Sequence, residues 1–246
     1  MNILGIPVEG VTMDEAVHRV ADFVAERDRP HMVVTANSEM IIAANYDPLL
    51  GHILERADLV VPDGIGVVLA SRIHGQPFPQ RIPGVDLMYQ LLQHGHREGW
   101  KFYLLGAAPG VAEQAAAAIA ESFPGIQIVG CRDGFFSRDD EEALLKDLRS
   151  SGADILFLAM GVPRQEKWAA AHLGSLGIPV AMGVGGSFNI WAGVDRRAPK
   201  WMQSVGLEWL YRLLRQPQRW KRAGALPQFA LLVLWERIRG RGGTRK

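Results

Sequence analysis

The chain of 246 residues contains a single cysteine, Cys131, and no apolar run close to the roughly 20 residues that would span a bilayer. An internal disulfide and a cysteine-based metal cage are therefore excluded. An integral protein with several membrane spans is excluded as well. The first residues, MNILGIPVEGV, lack a basic segment followed by a long apolar one, so nothing indicates secretion. We expect a cytosolic chain with one sizeable core, with or without an appendage.

Several motifs of catalytic chemistry are also missing. The sequence holds no D-x-D, so no pattern predicts a carboxylate-held Mg²⁺ or Mn²⁺ on a nucleotide diphosphate. The H-E-x-x-H, G-x-S-x-G and P-loop patterns are absent. His94 and His96 lie two residues apart on an expected helix, where they do not share a face. Chemistry without a metal ion is favoured.

The net charge of +1 conceals a division along the chain. Residues 211–246 carry ten Lys or Arg and one acid, a formal charge of +9, whereas the remainder has 17 bases and 25 acids and a charge of −8. Five of the seven tryptophans also fall within the last 56 residues. Charge and aromatic side chains are thus concentrated in the same C-terminal segment.

Basic side chains interleaved with tryptophan suit a surface of anionic phosphates over hydrocarbon, which predicts contact with an anionic membrane surface. A solvated C-terminal helix that packs on the body or on another subunit is the alternative, so a homo-oligomer is also left open. No nucleic-acid-binding module stands out in the body, and we expect no nucleic-acid partner.

The apolar pattern predicts a doubly wound, Rossmann-like α/β fold with a mostly parallel sheet of about six strands. Thr12 and Glu15 form a capping-box pattern ahead of a helix expected over residues 13–27. Continuous apolar runs between helical stretches predict strands at 31–35, 58–61, 101–105, 126–130, 154–158 and 178–182. In such sheets, ligands bind beyond the carboxyl ends of the strands.

The composition changes close to residue 198, where Arg-Arg-Ala-Pro-Lys precedes the Trp- and Arg-rich tail. We therefore predict an α/β catalytic domain over residues 1–198. Residues 199–246 are expected to form a basic, Trp-rich, helical C-terminal appendage that contacts the membrane.

Polar side chains follow the first two expected strands. Thr35 and Asn37 come at the start of a helix, where a hydroxyl and an amide can bind a phosphate or a sugar hydroxyl, or simply cap the helix. Asp63, in Val-Pro-Asp-Gly, follows the next strand and is placed to act as a general base toward a hydroxyl. An Asx turn explains the same Asp-Gly pair, and both interpretations stay open here.

Two further loops contain candidate phosphate-binding groups. The segment 74–84 is too rich in proline and glycine for regular structure, and its cation Arg81 could grip a diphosphate or could be an ordinary surface arginine. Gly106 follows a later strand and opens a helix whose backbone amides could hold a phosphate. The match of GAAPG to the dinucleotide fingerprint is poor, and a plain strand-to-helix turn is the competing interpretation.

Two glycine loops follow the last two expected strands. Gly161 makes a tight turn, after which Gln165 and Glu166 would face whatever occupies the cleft. Gly185 would let the backbone approach a ligand closely, while Phe188 stacks on a base and the residue after it forms a hydrogen bond with that base. Turn-making glycines and a core phenylalanine are the alternative explanation.

Several segments together resemble those of the WecB/TagA/CpsF glycosyltransferases, glycosyltransferase family 26: TANSEM, ADLVVPDGIG, QRIPGVDLM, YLLGAAPG, AMGVPRQEKW, GVGGSFNIWAG and RRAPKWMQSVGLEWLYRLLRQPQRWKR. The likeness runs from near the N-terminus to about Arg222. It implies a metal-independent, inverting transfer of a hexose, N-acetylmannosamine or a related sugar, from a UDP-sugar donor to a polyprenyl-diphosphate-linked sugar acceptor. The implied reaction needs no cofactor and belongs to cell-surface polysaccharide or teichoic acid biosynthesis.

The resemblance also implies roles for single residues. It makes Asp63 the base and Gln165 an active-site amide. It places Thr35 and Asn37 beside the sugar. The cations that it assigns to the acceptor diphosphate are Arg81, Arg212, Arg219 and Arg222. Asn189 departs from the family pattern, in which an aspartate often follows Ser-Phe near the uracil base, but an asparagine still accepts and donates hydrogen bonds.

The extension LPQFALLVLWERIRGRGGTRK lies outside the family pattern, and its apolar stretch of about ten residues is too short to cross a bilayer. It would lie on the membrane or dock on protein. The expected location is cytoplasmic, peripheral on the inner face of the cell membrane. Two other functions remain open: an NAD-dependent nucleotide-sugar oxidoreductase and a non-catalytic membrane-associated scaffold.

Overall fold

The computed structural model describes residues 1–215 and 224–242, and it confirms the expected doubly wound α/β architecture. The strands are β1 Asn2–Ile3, β2 Ile6–Pro7, β3 His31–Ala36, β4 Leu59–Pro62, β5 Lys101–Gly106, β6 Gln127–Arg132, β7 Ile155–Ala159 and β8 Val180–Gly183. The first two form an antiparallel hairpin. The other six form one parallel sheet in the order β4-β3-β8-β7-β5-β6.

Helices cover both faces of the sheet, because alternate residues of a strand point to opposite sides. The helices are α1 Met13–Glu26, α2 Ser38–Tyr46, α3 Pro48–Arg56, α4 Ile65–Ile73, α5 Gly84–Glu98, α6 Val111–Ser122, α7 Arg138–Ser151, α8 Arg164–His172, α9 Ser187–Trp191, α10 Lys200–Ser204, α11 Glu208–Arg215 and α12 Ala225–Gly242. Val33 and Phe157 pack with α1, α5 and α6 on one face. Val34 packs with α2, α3 and α4 on the other face, where Leu156 packs with α7 and α8.

Helix α1 begins where the capping pattern predicts. The Thr12 hydroxyl accepts from the Glu15 amide at 3.2 Å, and the Glu15 carboxylate accepts from the Thr12 amide at 2.7 Å. The helix ends one residue earlier than expected, at Glu26, because Arg27 takes a left-handed conformation with φ of +47°. A left-handed residue closes a helix by turning the chain away from its axis.

Two strands begin one residue later than the apolar pattern indicates. Asp58 and Asp154 were expected to be the first strand residues, but both lie just before their strands. The Asp58 carboxylate accepts from the amide of Met32 at 2.8 Å, and the Asp154 carboxylate accepts from the amide of Lys101 at 2.7 Å. Each acid therefore caps the amino end of a neighbouring strand.

The position of β3 determines where a ligand can bind. β3 and β8 are the first and last strands of the parallel sheet along the chain, yet they are neighbours in it. The strand order changes direction at this point, and a crevice beyond the carboxyl ends is expected at such a switch. The loops that follow β3, β4, β7 and β8 all open onto this edge.

The C-terminal helices pack on the body of the protein. Helix α12 lies against α2 and α4, and its residues Phe229 and Val233 are buried in the same core cluster as Ile3 and Ile41. No helix within residues 1–215 and 224–242 combines the length and the apolar character needed to cross a bilayer. The division at residue 198 therefore stays an interpretation of composition, since packing joins the two sides of it.

Replacing Gly106 with alanine is expected to lower the free energy of unfolding by about 3 kcal/mol or more. Gly106 has a φ of +134°, and an added Cβ would stand 2.5 Å from the carbonyl carbon of Ala159 on the neighbouring strand. Backbone atoms of a central strand cannot move away without breaking the ladder. Urea unfolding measures the change.

The matched control is Gly174→Ala. Gly174 lies in the short 3-10 helix Leu173–Ser175, and an added Cβ would meet nothing within 4 Å. This substitution should change the unfolding free energy by less than about 0.5 kcal/mol, or stabilise the protein slightly by restricting the unfolded chain. Equal effects of the two substitutions would contradict the steric argument.

Candidate active site

Two adjoining cavities open at the carboxyl edge of the sheet and share three polar residues, Asn37, Glu39 and Asp63. The sheet-side cavity, of about 160 Å³, lies among the loops that follow β3, β4, β7 and β8. The appendage-side cavity, of about 150 Å³, lies between the β4–α4 loop and the C-terminal helices α11 and α12. Because they share these residues, the two cavities are parts of one cleft.

Asp63 stands where the two cavities meet, directly after β4. Its amide donates to the carbonyl of Ala36 at 2.9 Å, which extends the β3–β4 pairing by one residue and sets the start of the loop. Gly64 then packs on Asn37, since a Cβ at Gly64 would stand 3.3 Å from the Asn37 Cβ. The Asp63 carboxylate is thus carried by a loop that is fixed by the hydrogen bond to Ala36 and by the packing of Gly64 on Asn37.

Thr35 and Asn37 both line the sheet-side cavity, as the sequence indicates. The Asn37 side chain accepts from the amide of Met40 at 2.9 Å, so the capping alternative is also realised. Thr35 is 7% exposed, and its hydroxyl would stand 2.8 Å from a Cβ at Gly84. The Asn37 side chain can cap the helix and also serve the cavity, because capping uses only its amide oxygen. The cap fixes the orientation of the amide nitrogen, which is the atom left for a ligand.

Gln165 lines the sheet-side cavity but is 3% exposed, and it joins two glycine loops. Its carbonyl oxygen accepts from the amide of Gly161 at 3.1 Å and from that of Gly185 at 3.2 Å. Its amide nitrogen donates to Glu166 Oε1 at 2.8 Å. Both ends of this side chain are therefore engaged by protein, and the amides of Gly161 and Gly185 are directed at Gln165 rather than at a ligand.

The sequence predicts that Glu166 faces the cleft, but the structure buries it away from both cavities. It is 1% exposed and lines neither cavity, and its Oε2 has no hydrogen-bond partner among the residues that the structure describes. Burial raises the pKa of Glu166 to about 7, although the hydrogen bond from Gln165 opposes the shift. Gly183 leaves room for this pair, since a Cβ there would stand 2.4 Å from the Gln165 amide nitrogen.

Arg81 lines the appendage-side cavity, where the resemblance places a cation for a diphosphate. It is not an ordinary surface arginine. Its Nη1 donates to Glu208 Oε2 at 3.1 Å, and its Nη2 lies 3.5 Å from the carbonyl oxygen of Gln203. Both acceptors belong to the C-terminal segment, so this guanidinium connects the body to the appendage.

Besides Glu166, three further expected binding residues lie outside both cavities. The prediction that Phe188 stacks on a base is wrong, since this ring is 0% exposed and packs in the core; the alternative of a core phenylalanine is the correct one. Gly106 packs on Ala159, and Asn189 accepts from the amide of Asp195 through its backbone carbonyl at 2.9 Å. Neither lines the cleft, so their assigned roles stay predictions without support from this geometry.

The other predicted cations fall outside what the structure describes. Arg219 and Arg222 belong to residues 216–223, which lie outside the described residues. Arg212 is part of helix α11, whose residues Trp209 and Leu213 line the appendage-side cavity, but the Arg212 side chain is likewise outside the description. Their contact with a diphosphate stays a prediction.

The cleft also contains charged side chains that the sequence analysis did not select. Glu39 lines both cavities, Asp195 and Arg196 line the sheet-side cavity, and Glu208 lines the appendage-side cavity. Glu39, Arg196 and Glu208 stand within segments that carry the family likeness, and a charge inside such a segment is the signal that would have selected them. In residues 1–215 and 224–242, no three His, Cys, Asp or Glu side chains group so that they could hold a metal ion.

Comparisons with known proteins agree with one another. A family model described as the glycosyl transferase WecG/TagA/CpsF family matches residues 1–243, so the prediction that the family pattern ends at about Arg222 is wrong. The chain is 35% identical over 209 residues to the N-acetylglucosaminyldiphosphoundecaprenol N-acetyl-beta-D-mannosaminyltransferase of Bacillus spizizenii, which covers 85% of this chain and 80% of the relative. It is 34% identical over 234 residues to the Staphylococcus aureus (strain MW2) protein of the same name, which covers 95% of this chain and 90% of the relative.

Replacing Glu166 with glutamine is expected to stabilise the protein near neutral pH but not in mild acid. Because burial raises the pKa of Glu166 from 4.5 to about 7, the folded protein binds more protons than the unfolded chain between these values. The free energy of unfolding of the wild type therefore falls across this range as pH rises, whereas glutamine has no proton to lose. The difference between the two proteins should grow by on the order of 3 kcal/mol and then level off above the folded-state pKa.

Urea unfolding of the wild type and of Glu166→Gln, at steps between about pH 5 and about pH 8, measures this difference. Other titrating groups are common to both proteins and cancel in the comparison. A difference that stays the same at every pH would contradict a carboxyl that is neutral when buried.

Proposed function

The chain belongs to the WecG/TagA/CpsF family of glycosyl transferases, and we propose that it transfers N-acetylmannosamine or a related hexose from a UDP-sugar to a polyprenyl-diphosphate-linked N-acetylglucosamine. The names of the relatives support this choice of transferred sugar and acceptor, and an acceptor on a polyprenyl carrier is consistent with the synthesis of a cell-surface polymer. One observation carries the proposal: Asp63 stands at the junction of two cavities, as a base between two substrates requires.

The arrangement of the cleft supports a single displacement. The donor occupies the sheet-side cavity and the acceptor enters from the appendage-side cavity. The acceptor hydroxyl oxygen attacks the anomeric carbon, the bond from that carbon to the UDP oxygen breaks, and UDP leaves with the bonding electrons. The hydroxyl proton passes to the Asp63 carboxylate. Attack from the face opposite the leaving group inverts the anomeric centre.

Charge that develops on the leaving diphosphate needs a partner on the donor side. The amides of Gly161 and Gly185 are already directed at Gln165, so they do not supply it. Arg196 is the cationic side chain among the described residues that line the sheet-side cavity. We assign it to the diphosphate of the donor, where a guanidinium can bind two phosphate oxygens at once without a metal ion.

The oxidoreductase alternative finds no support in the turn that follows β5. The amide of Ala107 donates to the carbonyl of Ala159 at 2.8 Å, and its carbonyl accepts from Gly134 at 2.9 Å. A Cβ at Gly134 would stand 3.2 Å from the Gly106 Cα, so a neighbouring loop covers the turn where a dinucleotide pyrophosphate would bind. A non-catalytic scaffold would leave Asp63 without a use between the two cavities.

We assign membrane contact to the outer face of α12. Its exposed apolar side chains recur at the spacing of one helix face: Leu231, Leu234, Trp235 and Ile238. The guanidinium of Arg239 lies 3.5 Å from the Trp235 ring centroid. An apolar stripe bordered by arginine suits an anionic membrane interface, where the stripe enters the acyl region and the guanidinium meets phosphates. This would bring the cleft to a polyprenyl-linked acceptor at the inner face of the membrane.

Replacing Asp63 with asparagine is expected to reduce transfer by about 10² to 10⁴, because general-base catalysis contributes that much. The affinity for UDP should stay within about twofold, since asparagine has nearly the same shape. Transfer is measured with a panel of radiolabelled UDP-hexoses and a short-chain prenyl-diphosphate N-acetylglucosamine, and UDP binding by calorimetry. Asp22→Asn, on the exposed face of α1, serves as the matched control and should keep full activity. Wild-type turnover by the Asp63 variant would reject the base assignment.

The double substitution Leu234→Glu and Ile238→Glu is expected to weaken binding to vesicles that contain phosphatidylglycerol by at least about tenfold. Both side chains are exposed, at 48% and 70%, so the fold should tolerate the change. Deletion of the appendage is a poorer test, because it would uncover the core under Phe229 and Val233. Phe135→Glu alters a side chain of similar exposure on the β6–α7 loop and should leave vesicle binding intact. Sedimentation that is equal for both variants would contradict the membrane assignment.

A further inference from the structure

Helix α11 begins with a buried carboxylate that contacts two arginines from other parts of the chain. Glu208 is 4% exposed. Its Oε2 accepts from Arg81 Nη1 at 3.1 Å, and its Oε1 lies 3.6 Å from Arg197 Nε. Arg197 in turn donates through both terminal nitrogens to Asp86 in the first turn of α5. We call these four residues the Glu208 network.

Burial makes the network depend on all its members. A carboxylate removed from water is strongly unfavourable unless cations and hydrogen bonds replace the solvent. Burial alone lowers the pKa of Arg197, yet its hydrogen bonds to Asp86 and the charges of Asp86 and Glu208 outweigh burial, so the net shift of this pKa is upward. The arginine is thus held charged between two acids, and its position is fixed by both.

The network lies beside the proposed base. Glu208 and Arg81 both line the appendage-side cavity. The turn before Glu208 packs on the start of α4, since a Cβ at Gly206 would stand 2.6 Å from Ile65 Cγ1, and Ile65 follows Asp63 by two residues. The placement of α11 and the placement of the Asp63 loop are therefore coupled by direct packing.

The partners of Arg81 connect the Glu208 network to the appendage-side cavity. Both acceptors that orient its guanidinium, Glu208 and the carbonyl of Gln203, belong to the C-terminal segment. Arg81 is also the cationic side chain among the described residues that line the appendage-side cavity. A guanidinium binds a diphosphate well only when its fork of donors is held at a fixed angle. Without Glu208, the guanidinium would keep only the longer contact, 3.5 Å to the carbonyl oxygen of Gln203, and its fork would be held less firmly toward the cavity.

We propose that Glu208 is a positioning residue for the acceptor side of the cleft: through Arg81 and Arg197 it holds α11 and the Arg81 guanidinium beside Asp63. This inference rests on the proposed function. It predicts that loss of the carboxylate weakens binding of the prenyl-diphosphate acceptor while binding of the UDP-sugar donor, which uses the sheet-side cavity, is spared. Glu208 acts here through other residues and does not itself touch the reacting atoms.

The test compares Glu208→Gln with Glu208→Asp and with Glu121→Gln, a matched change on the exposed face of α6. Glu208→Gln should raise the KM for a short-chain prenyl-diphosphate acceptor at least tenfold, with kcat within about threefold and the Kd for UDP within about twofold. Glu208→Asp keeps the charge and should restore the acceptor KM to within about threefold of the wild type. Glu121→Gln should change none of these quantities.

Hydrogen exchange provides a readout that does not need activity. The amides of α11 should exchange at least tenfold faster in Glu208→Gln than in the wild type, whereas the amides of β3 should not change. If α11 exchanges faster in Glu208→Gln as expected, but the wild type transfers no sugar, the proposed function fails and the Glu208 network stands. An unchanged acceptor KM, or a UDP Kd that rises in parallel with it, overturns the positioning role, and unchanged exchange in α11 overturns the network itself.

Discussion

The sheet-side cavity depends on one buried amide. Gln165 joins the loop after β7 to the loop after β8, because its oxygen accepts from the amides of Gly161 and Gly185. These strands are neighbours, so their loops leave the sheet a few ångströms apart, and one side chain can span the gap. Two backbone donors gain an acceptor at the same time, and both loops are held rigid without any bulky side chain in the space between them.

A second pair of loops faces the first across the cleft. The loop after β3 begins with the cap Asn37, and the loop after β4 carries Asp63 and packs against that cap. Each pair is thus a short rigid unit built on neighbouring strands. A general base works only when its distance to the reacting hydroxyl is held within a few tenths of an ångström, so the rigidity of both units is part of the proposed chemistry.

Local patterns were sufficient for the fold and for the position of Asp63, and they failed where the outcome depends on distant residues. Continuous apolar runs between helices predict a parallel sheet, and a carboxylate after a strand then lies at the edge where ligands bind. The sequence cannot tell whether the first turn of α9 directs Phe188 to the core or to the cleft, and the core interpretation was the correct one. Gln165 was rightly placed at the cleft, but its partners are glycines 4 and 20 residues away, and Arg81 and Glu208 are 127 residues apart. Contacts between residues so far apart along the chain produce no periodic pattern in the sequence, so a sequence analysis cannot predict them.

The charge division of the chain shows how the appendage can bind in one position. A body with a net charge of −8 attracts a basic tail over long distances but does not select an orientation. Residues 199–246 contain two acids, Glu208 and Glu236. Glu208 pairs with Arg81 and Arg197, and Glu236 accepts from the amide of Leu4 at 3.3 Å and lies 3.2 Å from His74 Nε2. In both contacts the acid belongs to the basic appendage and its basic partner belongs to the acidic body, the reverse of the overall charges. Since both acids of the appendage lie where it meets the body, their contacts favour one position of the appendage over others.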